Sequence, residues 1–340
     1  MKCVVAEEQK EHYPTSFLVN GIPQPNPEMP ERIDVLKRAA MDVGLEVIAP
    51  TEYDMTAIES IHDARYLKFL KNAYTRWAHI PGAAAQVTPN IHPTSRNDGY
   101  PASVVAQAGF HMTDASAPIS GDTWQSALWS AWCAQHASEL ILGGDDMAYA
   151  LCRPPGHHAS ADMAGGFCYL NNTAIATQNM LERYKTAAIL DVDLHHGNGT
   201  QSIFYDRNDV ITASIHADPN RFYPFFWGYE NETGEGAGEG YNLNYPLPRG
   251  SGDDLFIEKL DLALERIDDF NPGVLVIALG LDAFEGDPFA GLAITTKGYE
   301  LIARKIKQST TRPILMVQEG GYLCDELGEN LASFLKGIQG

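Results

Sequence analysis

The chain has 340 residues, 44% of them hydrophobic, and a formal net charge of −20 from 44 acidic and 24 basic residues. So acidic a surface repels nucleic acid, no basic stripe offsets it, and no apolar run is long enough to span a membrane. The opening MKCVVAEEQK lacks a basic region followed by an apolar one, so it does not read as a signal peptide. Cys3, Cys133, Cys152, Cys168 and Cys324 are scattered and odd in number, which argues for reduced thiols in a cytoplasm and against a disulfide scaffold or zinc ribbon. The acid excess serves solubility, tolerance of high salt, or the steering of a cationic substrate; net charge does not say where the acids sit.

In chain order, CVVA at 3 predicts a first strand, and Ile33, Leu36, Ala40 and Val43 share one face of a helix that stops at Gly44. EVIAP at 46 predicts a second strand, and Tyr66, Leu70, Ala73 and Trp77 a second helix. Residues 78–110 show neither a helix nor a strand period, and a loop this long inside a compact domain is usually functional. Strands follow at AAILDVD (187), DVITASIH (209), GVLVIALGLD (273) and RPILMVQEGG (312), with a helix through Phe256, Leu260, Ala263 and Ile267. These strands are almost continuously apolar, as strands buried on both faces must be. The expectation is one doubly wound α/β domain over 1–340, its mostly parallel sheet covered by helices on both faces.

Four strand ends carry unusual polar residues: RPPGHHASADMAGGFCYLNN at 153, DVDLHHGNGTQ at 191, GLDAFEGDP at 280 and QEGGY at 318. Ligands of open parallel sheets bind beyond the carboxyl ends of the strands. Asp193 and His195, two apart, point the same way in an extended segment, and Asp282 can join them from another strand. Buried carboxylates left unpaired cost several kcal/mol each, so a divalent cation, zinc or another ion accepting mixed nitrogen and oxygen ligands, would neutralise the cluster. Salt-bridged aspartates and hydrogen-bonded core histidines, His195 and His196, are the competing reading. His157 and His158 follow a Pro-Pro-Gly turn, where both can border a cavity and one can act as general base, though tandem histidines also occur as structural pairs. Tyr322, after Gly320 and Gly321, can reach into a site and donate to an oxyanion; packing after a turn is its alternative.

Together RPPGHHA…GFCYLNN, DVDLHHGNGTQ, LGLDAFEGDP and EGGY resemble the arginase–deacetylase superfamily, in particular the histone-deacetylase-like acetylpolyamine amidohydrolase branch. The resemblance spans nearly the whole chain and implies a sheet of about eight strands in the arginase/deacetylase fold. It implies zinc, with iron(II) as an alternative, on Asp193, His195 and Asp282. It makes His158 the general base and then acid, and His157 its electrostatic neighbour paired with Asp191. Tyr322 becomes the catalytic tyrosine, while Phe167, Gly166 and Tyr223 line the acyl tunnel. Structural potassium is implied at Asp191, Ser214 and the backbone of Asp193, His195 and Ile215, and a second ion at the backbone of Phe204, Arg207, Val210 and Tyr241. Asn198 stands where many histone deacetylases carry an aspartate beside the base; a neutral partner raises the pKa of His158 less than a carboxylate would.

The implied activity is hydrolysis of N-acetylated putrescine, cadaverine, spermidine or spermine, a small cationic amine being the partner. A protein acetyl-lysine deacetylase shares the same site. A dimanganese ureohydrolase would need further ligands, and a non-catalytic acetyl-amine binder would have lost a catalytic residue. The 78–110 insertion resembles the loop that, in the polyamine branch, builds a homodimer and narrows the entrance, with Asp98 and Asp114 able to lend negative charge to the rim.

Overall fold

The computed structural model describes residues 1–96 and 99–340; Asp98, named above for the rim, lies outside them. Eight parallel strands form the main sheet: β1 (Lys2–Val4), β4 (Glu46–Ile48), β5 (Met147–Ala150), β6 (Ala187–Asp191), β7 (Val210–Ala217), β8 (Asn242–Leu247), β9 (Val274–Leu279) and β10 (Ile314–Gln318). β2 (Ser16–Val19) and β3 (Ile22–Pro25) pair separately as an antiparallel hairpin. The sheet order is β4-β1-β5-β10-β9-β6-β7-β8.

Alternation along the strands builds two cores. Ile189, Val274, Val276, Leu315 and Val317 face one layer, shared with helices Ala64–Trp77, Thr123–Leu142 and Asn172–Tyr184. Ala188, Leu190, Leu275, Ile277 and Met316 face the other, shared with helices Glu31–Asp42, Asp253–Phe270, Thr296–Ser309 and Leu327–Gln339. Each strand must therefore be apolar at successive positions, which is the continuous pattern seen in the sequence.

The insertion departs from expectation. Val104–His111 is an α-helix, Val87 bridges to Ile119, and Val87 and Val104 are buried in the chain's own core. Ile80 and Val105 pack partly against that core, and the Tyr100 hydroxyl lies 2.9 Å from His111 Nε2. The reading of 78–110 as a stretch without helix or strand is corrected. Its helix was concealed because Val104–His111 is apolar on nearly every side, which erases the helical period.

β5, β10, β9 and β6 are consecutive in the sheet, and their carboxyl ends are the four polar strand ends singled out above. Crossover topology thus collects four distant segments at one edge.

Candidate active site

β6 ends at Asp191, so Asp193 and His195 do not lie on an extended strand as the sequence suggested. A tight turn aligns them instead: the His195 amide donates to Asp193 Oδ1 at 2.8 Å, as the Asp193 amide does to Asp191 Oδ1 at 3.0 Å. Asp193 Oδ2 accepts from the Gly320 amide (2.8 Å) and Asp282 Oδ1 from the Leu194 amide (3.0 Å). These bonds fix both carboxylates and leave Asp193 Oδ1 and Asp282 Oδ2 3.3 Å and 3.0 Å from His195 Nδ1. All three residues are buried and offer ligand atoms within 4.8 Å of one another. Burial opposes charge on His195, but its hydrogen bonds to Asp193 and Asp282 outweigh it and lift the pKa to about 9. The carboxylates that draw a proton there suit a divalent cation equally, and one imidazole with two carboxylates is a donor set that fits it. Crowding by the two carboxylates explains the neighbouring glycine, since a Cβ at Gly320 would stand 2.3 Å from Asp282 Oδ2.

His157 and His158, their rings 4.0 Å apart, take different partners. His157 Nδ1 lies 3.0 Å from Asp191 Oδ2; burial is overcome by Asp193 and Asp191, which hold its pKa at about 10. His158 Nδ1 lies 2.7 Å from Asn198 Oδ1. Burial first, then charge on His157 and His195, pushes His158 well below the usual histidine range. An amide oxygen only accepts, so Nδ1 carries the proton and Nε2 is left as a free base. His196 turns away and bonds Asn244 (3.1 Å), so the structural reading of a core histidine applies to it.

Tyr322 lines the same cavity as His158 and His195, about 570 Å³ in volume. Burial, then the Asp282 charge, raises its phenol well above the ordinary value, so it keeps its proton. Phe167 and Tyr223 line this cavity; Phe167 stands 5.8 Å from Tyr322 and Tyr223 4.9 Å from His158, ring to ring. Phe167 has φ +69°, a conformation a bulky residue adopts only when its surroundings impose it. Gly166, at φ +50°, sits where a Cβ would meet the His158 ring at 2.4 Å. Asp114 lines an adjoining cavity of about 870 Å³ that shares His158 and Tyr223, and its Oδ2 accepts from the Tyr223 hydroxyl at 2.7 Å.

Four contributors escaped the sequence reading. Phe289 stands edge-on to His195 (5.1 Å) and Tyr322 (5.0 Å), and Phe17 of the hairpin meets Phe167 at 5.7 Å. Asp287 accepts from the amides of Tyr322 (3.0 Å) and Phe289 (2.9 Å). Arg32 holds the glycine turn through the carbonyls of Gly321 (2.6 Å) and Glu319 (2.7 Å), with its guanidinium 4.9 Å over the Tyr322 ring. Asn20-Gly21, at φ +51° and +79°, is the hairpin signal that would have exposed Phe17.

His157, Cys168 and Glu319 also cluster. Glu319 accepts from the amides of Gly156 (2.6 Å) and His157 (3.0 Å) and from the Thr173 hydroxyl (2.7 Å). Burial raises the Cys168 thiol far above its usual range, so this group is a brace beneath the site and its sulfur a poor ligand.

For the remaining sequence candidates, Asp191 pairs in register with Ser214 across β6 and β7, next to Ile215. Ser214 Oγ lies 2.8 Å from His216 Nδ1. Phe204 O accepts from the Arg207 amide and Tyr241 O from the Thr212 amide, while Val210 begins β7.

A parallel α/β fold with this constellation at its carboxyl edge defines a class, and the histone deacetylase domain model matches residues 26–338. The chain belongs to the histone deacetylase family, metal-dependent amidohydrolases of linear amides. Within it, the chain is 44% identical to acetylpolyamine amidohydrolase 1 of Pseudomonas aeruginosa, covering 100% of this chain and 99% of that protein. It is 41% identical to the acetylpolyamine amidohydrolase of Mycoplana ramosa, covering 100% of both. The crystal structure of the acetylpolyamine aminohydrolase of Burkholderia pseudomallei superposes with TM-score 0.96 at 41% identity, over 99% of this chain and 98% of that one.

Proposed function

We propose that this enzyme hydrolyses the acetamide of N-acetylated polyamines and diamines, such as acetylputrescine, acetylcadaverine, acetylspermidine and acetylspermine, with zinc as its metal. The observation that carries the chemistry is the convergence of Asp193, His195 and Asp282 with His158 and Tyr322 at one aromatic-walled cavity. Zinc held by the first three would supply Lewis acidity at the acetamide oxygen and acidify water beside it; iron(II) is the alternative ion. His158 Nε2, a free base, takes the water proton as the oxygen attacks the carbonyl carbon. The Tyr322 phenol donates to the oxyanion. His158 then passes the proton to the departing nitrogen, the C–N bond breaks, and acetate and the free amine leave. Burial, and then His157 held charged by Asp193 and Asp191, keeps His158 neutral before attack. Phe167, Gly166 and Tyr223 shape a slot for a slender chain.

The relatives' names support the polyamine substrate, and Asp114 beside the cavity supplies the negative charge that a second amine would meet. Potassium at Asp191, Ser214 and Ile215, and at Phe204, Arg207, Val210 and Tyr241, belongs to the same proposal as a structural element. So do a homodimer and a cytoplasmic setting, the latter supported by five free cysteines. No helix among the described residues is long and apolar enough to cross a membrane.

The test is a side-by-side assay of zinc-loaded enzyme on acetylcadaverine and an acetyl-lysine peptide. A higher kcat/KM for acetylcadaverine is expected. Preference for the peptide would instead make the enzyme a protein deacetylase.

A further inference from the structure

The cavity that holds His158, His195 and Tyr322 differs in charge from the chain around it. Acidic residues outnumber basic ones 44 to 24, yet among the described residues none that line this cavity is Asp or Glu. Beside the two imidazoles, its ionisable cations are Arg221 and Arg249, both exposed at the rim. They arrive on the connections that leave β7 and β8, the last two strands of the sheet beyond β6, so the site draws on six strand ends rather than four. Arg249 Nε donates to the Ala290 carbonyl at 3.1 Å, which seats the side chain beside the wall residue Phe289. Its terminal nitrogens, and the whole Arg221 guanidinium, have no carboxylate partner among the described residues.

Asp114, which lines the adjoining cavity, is already engaged: Oδ2 accepts from the Tyr223 hydroxyl and the Gly166 amide, and Oδ1 from the Ser116 amide. The mouth therefore combines a committed acid beside Tyr223 with the free guanidinium groups of Arg221 and Arg249. An acetamide seated between His158 and Tyr322 sends the rest of its molecule outward past these walls. A carboxylate at the far end meets the planar donor forks that recognise it best, whereas an uncharged end meets nothing comparable.

We propose that the site also takes ω-acetamido carboxylates, linear acetamides whose far end is a carboxylate, with Arg221 and Arg249 as the residues that recognise that end. This rests on the acetamide-hydrolase reading only for where the acetamide sits. The hydrolytic step is unchanged, releasing acetate and an ω-amino acid.

Three probes of matched length separate the terminal charge from the chain: 6-acetamidohexanoate, uncharged N-pentylacetamide and N-acetylcadaverine. Binding is read by calorimetry on the zinc-loaded Tyr322→Phe variant, so that turnover does not interfere. The acid is expected to bind about three- to tenfold more tightly than the uncharged amide, the scale of two exposed charge contacts. That advantage is expected to vanish when Arg221→Gln and Arg249→Gln are added, and to fade near 1 M salt, where the screening length is about 3 Å. Equal or weaker binding of the acid, or an advantage that survives both substitutions, overturns the inference. Turnover of N-acetylcadaverine by the unsubstituted enzyme reports separately on the polyamine reading, so the two can fail independently.

Discussion

The 3.0 Å hydrogen bond from the Tyr322 amide to Asp287 lets a buried carboxylate position the tyrosine proposed as oxyanion donor. Asp287 is also bonded to the Phe289 amide, so one side chain holds the backbone of both Tyr322 and the wall residue beside His195. Burial, then the charge of Asp282, raises its pKa to about 7, while its two amide bonds and His195 pull in the opposite direction. Tyr322→Phe should lower kcat about 10²–10³-fold while metal content stays unchanged. Asp287→Asn, which keeps one acceptor oxygen of two, should lower kcat by less. In the Tyr322→Phe background it should cost almost nothing more, since residues acting through one another are not additive. Equal losses in both backgrounds would show that Asp287 acts by some other route. Asp193, His195, Asp282, His158 and Tyr322 were legible in the sequence because each sits in a short run of unusual residue types. Asp287 was not, because its role is made by a partner 35 residues away that only the fold brings near.

At the scale of elements, the apolar strands β1, β6, β7, β9 and β10 could be read because burial leaves a continuous hydrophobic signal, and the half-buried edge strand β4 from its Val47–Ile48 pair. β5 was missed as a four-residue segment, Met147–Ala150, with two alanines, and β8 because Asn242, Asn244 and Pro246 interrupt it. Proline is tolerated there because β8 is an edge strand. The hairpin β2–β3 and the insertion frame the mouth, Leu18 and His92 lining one cavity. Their uncovered apolar side chains are Ile91 (61% exposed), Ile22 (60%), Leu18 (49%) and Val19 (40%). If a second copy covers this rim, Ile22→Asp with Ile91→Asp should shift the protein toward monomer in sedimentation and raise peptide turnover relative to acetylpolyamine. Both positions are exposed, so the fold should survive, and an unchanged dimer with unchanged selectivity would remove this rim from the interface.

For the whole molecule, buried neutral histidines predict an acid limit to stability. His62 Nε2 accepts from the Asn171 amide at 2.9 Å, which requires the neutral ring, and burial lowers its pKa to about 4. The unfolded chain takes up this proton near pH 6.5, the folded chain only near pH 4. Stability is therefore full above about 6.5 and is lost as pH falls toward 4, by about 3 kcal/mol for one such group. His12, pressed down by burial and by Arg153, adds in the same direction. Urea unfolding at pH 7 and pH 4.5 should show this loss, with a shallower decline in His62→Gln; identical slopes would exclude His62 as the source. The central claim is that the converging strand ends of β6 and β9 hold one catalytic metal ion. It is tested most directly by measuring metal content and turnover together in Asp282→Ala, with circular dichroism as the check on folding. The account predicts joint loss of metal and activity in a chain that remains folded. Full metal occupancy in that variant would contradict it.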